Sequence, residues 1–478
     1  MVKEIRLYNS LTKKKESFKP LKASGASVYA CGPTVYDFAH IGNFRAFIAT
    51  DILIRTLRYN GLKTRYIRNI TDVGHLTDDE DTGDDKVEEA AQKKHMSASD
   101  IADFYTKAFH TDAEKLNLLP PNEEPRASDF IGEQISFIEV LEKKGFTYKT
   151  SDGLYFDTSK LSDYGKLVNL KIEDLREGAR VKKNPEKKHP TDFALWKFSP
   201  LGKKRSMEWD APWGIGFPGW HIECSAMSKF YLKFPFDIHT GGIDHQSVHH
   251  TNEIAQNEAY FGSQTVTMWL HSDFMLVDGV KMSKSLGNIY TLLDLEKKEI
   301  PPLAFRYFVL TANYRQILSF SQTALHGALQ AYKNICRFTE KAAEEVERGN
   351  IIFRWISLLL EKGSAKKYRK KFLESINDDL NTPQALAVLW EVAKDASCSS
   401  FTKIALFRMM DEVLGLSLPV TKITSPRIPD TIKTLAEERH HLRKEKKWGE
   451  ADAIRRKIEA AGFFIKDDGE SYRISRRS

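Results

Sequence analysis

Two short segments, far apart in the chain, carry residue types suited to phosphate chemistry. Lys281-Met282-Ser283-Lys284-Ser285 is a loop whose ammonium and hydroxyl groups can grip a triphosphate. His40-Ile41-Gly42-Asn43 is a histidine–glycine turn at the start of an expected helix. A glycine there lets the backbone come close to a ligand, and a helix N-terminus favours negative charge. His40 can donate hydrogen bonds where charge builds on an α-phosphate. Lys284 can neutralise a departing pyrophosphate, with Lys281 assisting. Nucleotidyl transfer rests on positioning and charge neutralisation, so the ordered pair points to an enzyme that activates a carboxylic acid with ATP. Either segment alone reads as an ordinary turn or surface loop.

Positioning such a pair requires a nucleotide-binding sheet, and the flanking sequence supplies its elements. Ser27-Val28-Tyr29-Ala30-Cys31 reads as a short strand closed by the turn residues Gly32-Pro33. Phe44, Phe47, Ile48, Ile52 and Leu57 recur at helical spacing, which predicts a helix from about Asn43 with Gly61 placed to end it. Lys63 to Ile70 reads as a second strand. Strand, helix, strand implies a parallel βαβ unit. Helical periodicity resumes near Ile101 to Tyr105. Later, Phe236 to His239 and Val266 to Leu270 read as strands, with His249 to Tyr260 helical between them. Pro120-Pro121 and Pro125 mark a break, followed by a strand at Gly153 to Asp157 and a basic, proline-bearing loop at Lys182 to Pro190.

The expected fold class is α/β: a Rossmann-like domain with a parallel sheet, interrupted by an insertion. Residues 1–120 form its first half, 121–205 an inserted connective domain and 206–315 its second half, which carries the lysine/serine loop. Strand signals almost vanish after about residue 315, and 316–416 reads as a helical bundle. Ser417 to Pro429 reads as a linker. Residues 430–478 form a small basic α/β unit, opening on a charged helix with Lys444, Lys446, Lys447, Arg455, Arg456 and Lys457. A solvated charged helix is the plainer reading of that composition. Asp78 to Asp85 is a dense acidic run that reads as a solvated loop, with cation binding as the other reading.

Composition bounds the class. A hydrophobic share of 41% and a charged share of 29% are those of a soluble globular protein. The charged first residues lack the apolar core of a signal peptide, and no long uncharged apolar run follows, so a cytoplasmic protein without a membrane segment is expected. The net charge of +7 is compatible with a polyanionic partner and equally with a slightly basic soluble protein. Cys31, Cys224, Cys336 and Cys398 are too few and too scattered for a disulfide framework. Taken singly, they read as buried inert thiols.

The two opening motifs resemble the HIGH and KMSKS signatures of class I aminoacyl-tRNA synthetases. Tyr29 to Asp37, Tyr66 to Asp72, Gly219 to Met227 and Asn252 to Gln256 narrow the resemblance to cysteinyl-tRNA synthetases. It runs from the N-terminus through the lysine/serine loop and continues, more weakly, through Asp378 to Pro383. It implies that L-cysteine is activated with ATP and passed to tRNA(Cys), with Mg²⁺ accompanying the ATP. It places His40, Asn43, Lys281 and Lys284 in catalysis, and Gly42, Gly241, Gly242, Ser283, Lys284 and Ser285 on the ATP side. Thr71 and Trp220 resemble residues lining the amino-acid pocket, and Asp244 is suited to hold the substrate ammonium. By the same analogy the insertion meets the acceptor end, and the C-terminal helices and basic unit reach the anticodon. A monomer is favoured. Three features depart from the pattern. Asn43 replaces the last histidine of the signature and can donate a hydrogen bond but not carry charge. Phe217 stands where the family often has arginine. The acidic run after Gly74 is unlike the commonest family pattern.

His249 and Glu253, four residues apart on an expected helix, share one face. Such pairs are commonly surface contacts. The resemblance implies instead that Cys31, Cys224, His249 and Glu253 bind one Zn²⁺. Two thiolates, an imidazole and a carboxylate suit zinc. The chemistry gives the metal a purpose. Cysteine and serine are near-isosteres that a hydrophobic pocket separates poorly, whereas a thiolate binds zinc far better than a hydroxyl does. Two other readings remain: a cysteine ligase acting on a small amine such as glucosaminyl-inositol, and a synthetase-like protein that binds tRNA without catalysis. The basic unit after Pro429 and the Asp378 to Pro383 stretch count against the first, and the motif and ligand residues against the second.

Overall fold

The computed structural model describes residues 4–74, 86–168, 185–200, 205–283, 286–348, 362–420, 430–461, 463–468 and 471–476. At its centre is a four-stranded parallel sheet in the order Val266–Ser272, Phe236–Gly242, Ala26–Ala30, Thr64–Arg68. All four strands run as the sequence pattern predicts, each within a few residues. The first half of the chain meets the second where Ala26–Ala30 pairs with Phe236–Gly242, with Tyr29 opposite His239 and Ala30 opposite Thr240. Open α/β sheets bind ligands at such a switch of strand order, outside the carboxyl ends of the strands. Cys31-Gly32 leaves one of these two strands at that end, and Gly241-Gly242 completes the other.

The helix after the first strand spans Ile41–Tyr59, two residues earlier than its apolar spacing predicts. The reason is its cap. His40 accepts from the Asn43 amide and Asn43 reaches back to the His40 amide, a reciprocal capping box. Imidazole is not among the usual cap groups, so periodicity alone missed it. At the other end Asn60 caps the helix and Gly61, at φ 84°, turns the chain back. The helix is buried on nearly all sides: Ile48 and Ile52 pack in one continuous apolar core with Val28, Ile238 and Met268 of the sheet and Phe305, Leu389 and Phe407 of later helices.

The expected proline break after residue 120 is not a plain loop. Asn122 donates to Tyr66, Ile70 to Pro125 and Ala127 to Ile70, so this stretch runs along the edge of the sheet. The chain then builds a four-stranded antiparallel sheet in the order Thr147–Lys149, Gly153–Phe156, Phe193–Phe198, Gly216–Pro218. Its aromatic face packs with the helix Ile131–Lys143 around Phe137, Phe156, Phe193 and Trp196.

Beyond residue 315 the expectation of helices holds, with one exception. Leu318–Phe320 is a short strand that pairs in parallel with Met275–Val277. The helices Gln322–Arg348, Lys362–Asn377, Thr382–Lys394 and Ser400–Leu414 follow. The C-terminal unit opens on two helices, Asp430–Lys444 and Trp448–Ala460, not the single charged helix expected. Lys446 takes a positive φ of 60° and reverses the chain between them. A hairpin of Phe463–Asp468 and Ser471–Arg476 closes the unit around Ile432, Ala436, Ile454 and Ile458. Among the described residues no helix is long and apolar enough to cross a membrane.

Buried ionic groups tie the helical part to the sheet. Arg306 is fully buried and donates to the Leu414 and Leu116 carbonyls at 2.8 and 3.0 Å. It also pairs with Asp51 on the first helix. Asp51 in turn accepts from the Leu119 amide and from Arg55, each at 2.8 Å. Removing one partner of a buried, hydrogen-bonded pair strands the others. Arg306→Met is therefore expected to lower stability by about 3 kcal/mol, read as a fall in the urea midpoint. An unchanged midpoint would mean that this pair does not hold the two parts together.

Candidate active site

Four ligand-type side chains converge at the crevice. Cys31 follows the strand Ala26–Ala30 and is fixed by its amide on Thr240 at 3.1 Å. Cys224 lies on the helix Trp220–Leu232, while His249 and Glu253 sit one turn apart on His249–Phe261. Their ligand atoms all lie within 4.8 Å of one another and could hold a metal ion. All four residues are buried. Polar groups at such depth are stable only when paired or coordinated.

The electrostatics of the cluster are mutual. The Cys224 thiol is drawn down to about 6 by a hydrogen bond from Cys31, assisted by His249 and opposed by burial. Burial and the Cys224 charge push the Cys31 thiol well up. Burial acts to lower the His249 pKa, but Glu253 and Cys224 overcome it and raise it to about 10. Burial acts to raise Glu253, yet His239 and His249 hold it at about 2. A cation would take the place of the protons on Cys31 and His249. The donor set fits such an ion in one further respect. Glu253 Oε1 is buried and lies 3.0 Å from His249 Nε2. Once an ion replaces the His249 proton between them, both atoms present lone pairs to it.

A shell of histidines that the sequence reading did not single out surrounds these groups. His239 Nε2 lies 3.1 Å from Glu253 Oε2, and His221 Nδ1 lies 3.0 Å from His249 Nδ1. His250 Nε2 lies 3.2 Å from Cys31 Sγ, and its Nδ1 is 2.8 Å from His271 Nε2. Cys31, His239, His250 and Glu253 form a second group that could hold an ion. A signal was present: His221 is one turn before Cys224, and His250 adjoins His249. Groups that contact a ligand's far side orient it and tune its basicity.

The remaining pocket residues gather at the same end of the sheet. The Trp220 ring stacks on His249 with centroids 4.3 Å apart. Thr71 is buried, with its amide on Pro33 at 3.0 Å and its hydroxyl accepting from Asn69 at 2.9 Å. Asn69 Oδ1 accepts from Gly32 at 3.0 Å. Asp244 opens a short helix, Ile243–Ser247, with its side chain 57% exposed. Gly241 is hemmed in by the fully buried His250 ring, whereas Gly242 faces only the exposed Asp244 carboxylate. A Cβ on Gly241 would come within 2.6 Å of His250, and one on Gly242 within 2.2 Å of Asp244. Phe217, at the position where an arginine is common, has the Arg205 guanidinium 3.9 Å above its ring. A cation therefore reaches this spot from elsewhere in the chain.

The two phosphate-type motifs touch. Ile41 donates to the Tyr290 carbonyl at 2.8 Å, and a Cβ on Gly42 would lie 2.5 Å from the Met282 methyl. Because His40 Nδ1 accepts from the Asn43 amide at 3.2 Å, its proton in the neutral ring is on Nε2, where it can be donated. Asn43 uses its carbonyl on the His40 amide at 3.0 Å, which leaves its amide protons for a ligand. Lys281 Nζ sits 4.6 Å over the Phe274 ring. The Ser283 amide donates to Asn288 at 2.9 Å. Lys284, Ser285 and the acidic run lie outside the described residues.

With this geometry in place, comparison with known proteins defines the class and then the family. Residues 17–330 match the model described as the tRNA synthetases class I (C) catalytic domain. Residues 371–398 match the DALR domain, and 425–473 the cysteinyl-tRNA ligase anticodon binding domain. In fold the chain is similar to Mycobacterium tuberculosis methionyl-tRNA synthetase in complex with methionyl-adenylate. That likeness has a TM-score of 0.58 at 15% identity and covers 83% of this chain and 92% of the other. The chain belongs to the cysteine–tRNA ligase family. It is 43% identical to cysteine–tRNA ligase 1 of Burkholderia lata, over 98% of this chain and 96% of that one. It is 40% identical to cysteine–tRNA ligase of Treponema denticola, over 97% and 98% respectively.

The cluster makes a metal-content prediction that needs no activity assay. Cys224→Ser and Glu253→Gln are each expected to lose the bound metal, measured by elemental analysis after gel filtration. Retention at the wild-type stoichiometry would remove that residue from the ligand set. The capping box makes a second. Asn43→Ala should cost about 1 kcal/mol of stability, whereas Asn43→Asp, which keeps the acceptor, should melt near the wild type. Equal melting of all three would deny the cap its role.

Proposed function

We propose that this chain is a cytoplasmic ligase that joins L-cysteine to tRNA(Cys) through cysteinyl-adenylate, holding one Zn²⁺ on Cys31, Cys224, His249 and Glu253. The observation that carries this reading is the convergence of two buried thiols, an imidazole and a carboxylate at the sheet's ligand crevice. A bound zinc would supply a soft Lewis acid for which the substrate thiolate competes far better than a serine hydroxyl. That difference selects the amino acid without an editing step.

The chain's own residues do the rest. Trp220, stacked on His249, and the buried Thr71 wall the amino-acid pocket. Asp244, at the crevice, suits the substrate ammonium. The cysteine carboxylate attacks the α-phosphorus of ATP, and the bond to pyrophosphate breaks. His40 Nε2–H and the Asn43 amide protons donate to the charge that builds on the α-phosphate. Gly42, Gly241 and Gly242 give the nucleotide close access to backbone, and Ser283 and Ser285 belong to the loop that faces its phosphates. Lys281 and Lys284 neutralise the departing pyrophosphate, which Mg²⁺ accompanies. A 3′-terminal ribose hydroxyl of the tRNA then attacks the carbonyl carbon, and AMP leaves. The contact of Met282 with Gly42 supports the view that the two motifs close on one nucleotide.

The C-terminal unit has its own core, distinct from that of the sheet, which supports a separate role in reading tRNA. The test has two parts: cysteine-dependent ATP–pyrophosphate exchange, then charging of tRNA transcripts. Both should occur. Exchange without charging would favour the small-amine ligase, and no exchange the non-catalytic reading. His40→Ala should slow exchange by about 10²–10³-fold. Deletion after Pro429 should leave exchange intact and lower charging efficiency roughly tenfold or more. Full charging by the truncated protein would contradict an anticodon role.

A further inference from the structure

We propose that the Tyr29 hydroxyl is a positioning group of the metal centre, donating a hydrogen bond to the Cys224 thiolate. This rests on the metal reading given above. Tyr29 is fully buried, and its hydroxyl has no well-aligned hydrogen-bond partner. A buried hydroxyl in that state is costly unless something answers it. Tyr29 and Cys31 are two residues apart across one strand, so their side chains leave the sheet on the same face. The ring packs edge-on against His239, with centroids 5.1 Å apart, and in one cluster with Cys31 and Cys224. It therefore lies against the metal ligands and the histidine that contacts Glu253.

The choice of sulfur follows from the contacts of each. Cys31 Sγ has a ring nitrogen of His250 at 3.2 Å, a group that can donate to it. Cys224 Sγ has Asn69 Oδ1 at 3.7 Å, an acceptor that suits a thiol but not a metal-bound thiolate. With an ion in place of the protons on Cys31 and His249, a thiolate at Cys224 needs another donor. A phenol carries its proton at neutral pH, so the hydroxyl has one to donate. Donation to the sulfur would draw charge from it and hold its lone pairs in place. The ion would then stay electrophilic enough to take a further soft ligand.

The experiment compares full-length wild type, Tyr29→Phe and Cys224→Ser. Zinc affinity is measured by competition with a chromogenic chelator. Tyr29→Phe is expected to bind zinc about 10–100-fold more weakly, while the unfolding midpoint of the metal-stripped protein stays equal or rises. Unchanged zinc affinity in Tyr29→Phe, with Cys224→Ser losing zinc, overturns this inference alone. A wild type that binds no zinc overturns the metal reading beneath it. A matched loss of stability in the metal-stripped variant assigns the side chain to packing and overturns the inference as well. Should Tyr29→Phe fail to fold, Tyr29→3-fluorotyrosine keeps the hydroxyl and strengthens it as a donor. The sulfur-to-metal charge-transfer band of its cobalt-loaded form should then shift from the wild type, and an unshifted band overturns the proposal.

Discussion

The structure turns on a single constraint: four polar ligand-type side chains must be buried together without being stranded. Cys31, Cys224, His249 and Glu253 meet this by holding one another, with charges and hydrogen bonds set within one cluster. Each comes from a separate element or turn, so the cluster exists only when the fold is complete. The strand Ala26–Ala30 delivers Cys31, and two helices from the second half of the chain deliver the rest. The turns beside them have no spare room. A Cβ on Gly32 would overlap the Asn69 carbonyl at 1.5 Å, and one on Gly241 would meet the buried His250 ring at 2.6 Å.

The two phosphate-type motifs stand beside the same crevice. The His40 cap begins nine residues after Cys31, and the loop after Val280–Lys281 closes on Gly42. Arg306 and Asp51 brace this arrangement from behind by joining the capped helix to the helical part. The ligand cluster and the phosphate-type motifs therefore sit on neighbouring turns at one end of the sheet. Shifting either would disturb the other.

Much of this was legible in the sequence, for physical reasons. The four central strands were legible as short runs rich in β-branched and aromatic residues beside turn residues or helical patterns. Cys31 was legible as a strand end, and strand ends of this fold face the ligand. What could not be read depended on an unusual local group or on contacts between distant residues. The helix start at Ile41 depends on an imidazole cap that periodicity cannot see. The break at Lys446 depends on a backbone angle rather than on a glycine or proline. The histidine shell escaped notice because His221, His239 and His250 gain a role only through partners on other elements. Arg205 over Phe217 likewise joins positions whose pairing no local pattern announces.

If the amino acid is chosen by its sulfur at the cluster of Cys31, Cys224, His249 and Glu253, zinc-edge X-ray absorption on the purified protein will register it. L-cysteine should raise the number of sulfur neighbours of the metal, and serine should not. An unchanged sulfur count on saturation with cysteine would contradict it.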